Sequence, residues 1–156
     1  MDPLTVVGAV SAIAGLIDLS KQLCQSLQSM SESFLGAENA LQSMQGDVEA
    51  MSSSLEQLMT AIETGATKGV EYPAQTKADL MVVIQNCEIP LARLKTILRK
   101  FGHYSDLAGS STSVTSIITI RFRFRWMFEE KNILKIQSAL QSHKSSLNVI
   151  LGLMSK

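Results

Sequence analysis

Two histidines and two cysteines are the residues of this 156-residue chain best suited to chemistry. His103 and His143 lie far apart, with no carboxylate at a recurring spacing from either. Cys24 and Cys87 show no CxxC spacing and have no companion histidine at zinc-ligand distance. Each cysteine occupies an apolar helical position, which predicts free, buried thiols in a reducing cytosol. Glycine-rich phosphate loops, a nucleophile elbow and paired carboxylates are also missing from the sequence. The expectation is a chain that is not an enzyme and uses no cofactor or metal.

A second group of residues carries charge rather than reactivity. In IITIRFRFRWMF, residues 117–128, Arg121, Arg123 and Arg125 alternate with Phe122, Phe124 and Trp126. Lys131 and Lys135 follow. Arginine beside Phe and Trp suits a membrane interface, where rings sit at headgroup level and guanidinium groups meet phosphate. It also suits single-stranded nucleic acid, a reading set well behind the others. The plain alternative is that the rings pack inward while the arginines neutralise an acidic front half. That front half exists: residues 1–64 carry eight acids and one base, whereas 65–156 carry thirteen bases and six acids. The two halves can pair with each other, and the basic one can also meet an acidic partner or an anionic lipid surface.

The stretch Pro3–Leu19, PLTVVGAVSAIAGLIDL, must be placed by the rest of the fold. Wrapped as a helix, Leu4, Val6, Val7, Val10, Ile13, Leu16 and Ile17 point in every direction, which predicts burial in a core or in lipid. Gly8, Ser11, Ala12 and Gly15 form a strip of small residues along one side. Such a strip admits close helix approach within membranes, but a crowded helix of a soluble bundle needs it as well, and the bundle reading is favoured. Asp2 and Pro3 are suited to the helix start, and the acidic Asp2 argues against a secretory signal. Pro3–Ile17 spans about 22 Å of helix, short of a hydrocarbon layer of about 30 Å. Its aliphatic side chains favour insertion by about 0.3–0.6 kcal/mol each, against about 2.5–3.5 for Asp18 at mid-membrane. The balance is near zero.

Elsewhere the apolar residues alternate at spacings of three and four, the signature of helices packed at shallow angles. The first helix continues through Leu23, Leu27 and Met30 and falters at Ser31–Gly36. The second runs from Phe34 through Leu41, Met44, Val48, Met51, Leu55, Leu58 and Ile62, ending near Thr64–Gly65 before a loop over 65–75. A third, Thr76–Phe101, is built on Leu80, Ile84, Cys87, Leu91, Leu94, Leu98 and Phe101; Pro90 should kink it and Gly102 stop it. Residues 103–116, rich in Ser and Gly, read as a loop. Residues 117–128 have the period of a strand, but no second strand is on offer, so a short helix or extended lead-in is expected. The last helix, Phe128–Met154, uses Ile133, Ile136, Leu140, Leu147, Ile150 and Met154, with His143 in the one seam slot that is not apolar. The class predicted is all-α: an antiparallel bundle of four to five helices in one domain, 1–156, around the apolar N-terminal helix.

The opening MDPLTVVGAVSAIAGLI and the ending FRWMFEEKNILKIQSALQSHKSSLNVIL resemble the N-terminal domain of fungal STAND proteins, the HeLo-like group found ahead of NACHT-type nucleotide-binding regulators. Trp126, Phe128, Glu130, Lys131 and the run His143–Asn148 carry the resemblance most strongly, while the middle matches by pattern only. Pro90 and the RFRFR alternation depart from it. The resemblance implies a cell-death effector, cytoplasmic at rest, that a downstream nucleotide-binding region oligomerises and sends to the plasma membrane. It implies membrane insertion of the segment containing Leu4, Val7, Gly8, Val10, Ala12, Ile13, Gly15, Leu16 and Ile17. Arg121, Arg123, Arg125, Trp126, Lys131 and Lys135 would face anionic headgroups, with self-association as the trigger and no role for nucleic acid. A rival expectation is a homotypic adaptor that signals without permeabilising a membrane.

Overall fold

The computed structural model describes the backbone over residues 3–33, 38–108 and 112–154, and side chains over 6–32, 39–101, 125–126 and 128–154. Four helices account for nearly all of it: α1 (Pro3–Ser33), α2 (Glu38–Thr67), α3 (Ala74–Ala108) and α4 (Thr112–Met154). The fold is an all-α helical bundle.

α1 packs on α2 and α3, and α4 packs on α3 and α2, while among the described residues the diagonal pairs α1/α4 and α2/α3 do not pack on one another. The bundle is thus two antiparallel hairpins, α1–α2 and α3–α4, laid side by side. The three-and-four seams explain this arrangement. Leu41, Met44, Val48, Met51, Leu55, Leu58 and Ile62 of α2 are all buried, as are Leu80, Ile84, Cys87, Leu91, Leu94, Leu98 and Phe101 of α3. Ile133, Ile136, Leu140, Leu147, Ile150 and Met154 of α4 join Ile13, Leu16, Ile17, Leu23, Leu27 and Met30 of α1 in the same core. A residue left on the predicted seam, His143, is half-buried.

Several boundaries differ from expectation. α2 does not stop at Gly65 but continues to Thr67, and the cap falls on Gly69, at φ 71°. The Val70 amide donates to the Gly65 carbonyl at 2.8 Å, closing the last turn in the way a left-handed glycine permits. At Gly65 a methyl group would lie 2.6 Å from the Tyr72 hydroxyl, so a larger residue there displaces the Tyr72 side chain.

The expected loop over 103–116 is largely helix. α3 runs through Gly102 to Ala108, and α4 begins at Thr112, so residues 117–128 are neither strand nor lead-in but the early turns of a 43-residue helix. A single interior glycine costs a helix about 1 kcal/mol, too little to end one that has a long partner to lie against. Pro90 sits inside α3 and is buried. The predicted capping by Asp2 and the seam position Phe34 lie outside the described residues.

Candidate functional site

Among the described residues α1 meets two neighbours, α2 and α3, so its apolar circumference exceeds what they cover. Ala9, Ile13, Leu16 and Ile17 are buried and Val6 and Val10 half-buried, whereas Val7 is 66% exposed. Gly8, Ser11, Ala12 and Gly15 are exposed too. A methyl group built on Gly8 or Gly15 would find nothing within 4 Å. Two expectations are corrected here. The first half of α1 is not enclosed, and its small-residue strip is not the place where a neighbouring helix crowds it. The strip faces outward because α2 and α3 both lie on the other side. The side chain of Leu4 is outside the described residues.

As the Leu23, Leu27 and Met30 spacing predicts, α1 continues past Asp18 to Ser33. Over Val6–Glu32, 27 residues, α1 is long and apolar enough to cross a membrane by length and composition, and 33% of the apolar 18-residue window within it is buried. At 1.5 Å per residue it reaches about 40 Å. A core helix of a soluble bundle passes the same measure. Ser20, buried in this helix, donates to the Leu16 carbonyl at 2.8 Å, so its hydroxyl is satisfied within α1.

The second candidate surface lies on α4. Arg125, Lys131 and Lys135 are exposed. Trp126 is half-buried and stacks obliquely on Phe101 of α3, ring centroids 5.8 Å apart at 52°. Its indole is therefore first a packing group of the α3–α4 hairpin. The side chains of Arg121 and Arg123 are outside the described residues. Positions 121 and 125 share one side of a helix and 123 falls on another, so the alternation does not build one continuous basic face.

Next to this surface, a cleft of about 340 Å³ between α3 and α4 is lined by Arg93, Thr96, Lys100, Glu129, Asn132 and Lys135. The buried Glu129 carboxylate accepts from Asn132 Nδ2 at 3.1 Å and from Lys100 Nζ at 3.2 Å. The Asn132 amide first, then Lys100, hold its carboxyl below the usual range against the opposing effect of burial. The cleft is thus cationic at its rim with one anion already neutralised inside.

Burial pushes the Cys87 thiol up to about 12, and burial with the nearby Glu49 charge pushes Cys24 up to about 11. Both cysteines are free, Cys87 buried and Cys24 only half so, and both are protonated and weakly nucleophilic near neutral pH. Burial lowers the His143 pKa, favouring the neutral imidazole. Among the described residues no group of three His, Cys, Asp or Glu is placed to hold a metal ion. His103 lies outside the described side chains.

The charge halves do not neutralise one another through the ion pairs seen. Lys21 pairs with Glu56 at 3.8 Å, Lys77 with Glu71 at 3.9 Å and Lys100 with Glu129 at 3.2 Å, each within its own half of the chain. A polar link across the halves is Gln137, which donates to Asp47 at 3.1 Å.

Comparison with protein-family models, curated proteins and solved structures finds no match to this chain. Periodicity could not have told which side of α1 faces outward: a helix apolar all round carries no signal for direction.

Proposed function

We propose that this chain is the membrane-targeting, cell-death-inducing effector domain of a fungal STAND-type regulator, activated when copies are clustered. One observation carries the reading: an N-terminal helix sufficient in length and apolarity to cross a bilayer keeps its small-residue strip and Val7 turned away from the bundle. In water that face costs free energy and gains nothing from the fold. In lipid, small residues allow helix backbones of neighbouring copies to approach closely, so the same face becomes a contact. Clustering raises the local concentration of such helices and shifts an insertion balance that is near zero for one copy.

Arg125, Lys131 and Lys135, with Arg121 and Arg123, hold the bundle against anionic lipid, each basic residue contributing about 1 kcal/mol near the surface. In this scheme α1 leaves the core on insertion, because Ile13, Leu16 and Ile17 must exchange the bundle for lipid or for the helices of other copies. The test is co-sedimentation of the purified chain with vesicles of anionic or zwitterionic lipid. Binding to the anionic vesicles alone, lost in the variant Arg125→Glu, Lys131→Glu, Lys135→Glu, is the expected result. A chain indifferent to both vesicle types, and unaffected by the charge reversals, would instead be an adaptor that recruits partners in solution.

A further inference from the structure

The corners of the bundle that face lipid in this reading are α1 and α4; the other two, α2 and α3, present a different pair of surfaces. Along the exposed side of α2, Glu49, Glu56 and Glu63 recur every seven residues, with Gly46, Ser53 and Thr60 between them at the same period. All six are exposed. Seven residues of helix advance about 10.5 Å while returning to the same face, so this is a straight row of carboxylates separated by small side chains. The exposed side of α3 is its counterpart: Val82 and Ile89, 53% and 50% exposed, continue at matching heptad spacing into Arg93 and Lys100, which also edge the cleft toward α4.

We infer that the outward face of α2 in one copy docks antiparallel on the outward face of α3 in the next. The spacings fit several contacts at once. A register that sets Glu56 opposite Arg93 also sets Glu49 opposite Lys100, and it seats Ile89 over Thr60 and Val82 over Thr67. Large aliphatic side chains thus meet small ones while opposite charges meet along the same line, which is the knob-and-flank logic of a coiled-coil seam. Glu63 and Arg93 enter none of the described ion pairs; Glu56 and Lys100 carry partners within their own hairpins, Lys21 and Glu129.

Because α2 and α3 stand at diagonal corners, each copy keeps one face free after docking, and the contact is heterologous: it propagates from copy to copy rather than closing as a two-fold dimer. This interface gives the proposed clustering its geometry and rests on that reading for its role, but not on the membrane for its existence.

The experiment is sedimentation velocity of the full chain in lipid-free buffer over a concentration series, with Glu56→Arg and Arg93→Glu as single variants. Both positions are exposed, and circular dichroism checks that each variant folds. The wild-type chain is expected to associate progressively, more weakly as salt is raised. Each single variant sets like charges opposite each other and should weaken association at least about fivefold. An equimolar mixture of the two variants should restore it, since each supplies the face that the other has reversed. A wild-type chain that stays monomeric at about 1 mM overturns the interface. Single variants that associate like wild type, or a mixture no stronger than its components, overturn it equally. Assembly without vesicle leakage would retain the interface and discard the membrane effector; leakage by a chain that fails these tests would do the reverse.

Discussion

His143 is the half-buried residue on an otherwise buried α4 seam. It fills a slot that leucine or isoleucine fills elsewhere on α4, and burial favours its neutral imidazole. A histidine whose pKa is lower in the fold than in the unfolded chain stabilises the fold above the unfolded value and loses that contribution as pH falls below about 6.5. Glu129 acts in the same direction further into acid, because its folded pKa is also depressed and its contribution is lost as pH falls through the carboxylate range. The urea midpoint of the chain should therefore drop in two stages on acidification. His143→Leu should remove the first stage and raise the midpoint at neutral pH, whereas a midpoint still falling between pH 7 and 5.5 in that variant would assign the effect elsewhere. Gly15 gives the opposite kind of test. With nothing within 4 Å of a Cβ there, Gly15→Ala should stabilise the folded chain by about 0.5–1 kcal/mol, read as a raised melting temperature. A destabilised Gly15→Ala would place a neighbour where the structure has open space.

Among the elements, α1 divides most sharply into a structural side and a spare one. Ile13→Ala removes a fully buried side chain and should cost about 2–5 kcal/mol in chemical denaturation. Val7→Ser, at a position 66% exposed, should change stability by less than about 0.5 kcal/mol yet reduce binding to anionic vesicles. Equal losses of stability in the two variants would mean that the N-terminal turns are enclosed. The elements also show what was legible in the sequence. The three-and-four spacing placed every described seam residue of α2, α3 and α4 in the core apart from the half-buried His143, because packing against two neighbours imposes that period directly. The stretch joining α3 and α4 was only partly legible: Ser and Gly content read as a loop where helix continues, while the Arg/Phe alternation, lacking a strand partner, read as a short helix or extended lead-in and is helix. Local composition is a weak guide where two long helices can continue along each other. On α1, apolarity was evident but its outward direction was not, since that depends on which neighbours the topology supplies.

At the scale of the whole molecule, the sign of charge is separated by hairpin. Side chains described on α1 and α2 include six acids and one base, and those on α3 and α4 nine bases and four acids. The described ion pairs stay within their halves of the chain, so the fold leaves a molecule with an acidic side and a basic side. Such a distribution steers the basic side toward anionic surfaces and weakens with salt as the screening length shortens. Within the proposed mechanism the single copy is a store: the core retains α1 through Ile13, Leu16 and Ile17, while Val7 and the glycine strip wait for lipid or for other copies. The most direct measurement is dye release from sealed anionic vesicles, comparing the chain alone with the chain clustered by a fused, inducible dimeriser. Little release is predicted from the unclustered chain, and rapid release on clustering. Vesicles that stay sealed around a folded, clustered chain would contradict the proposed mechanism.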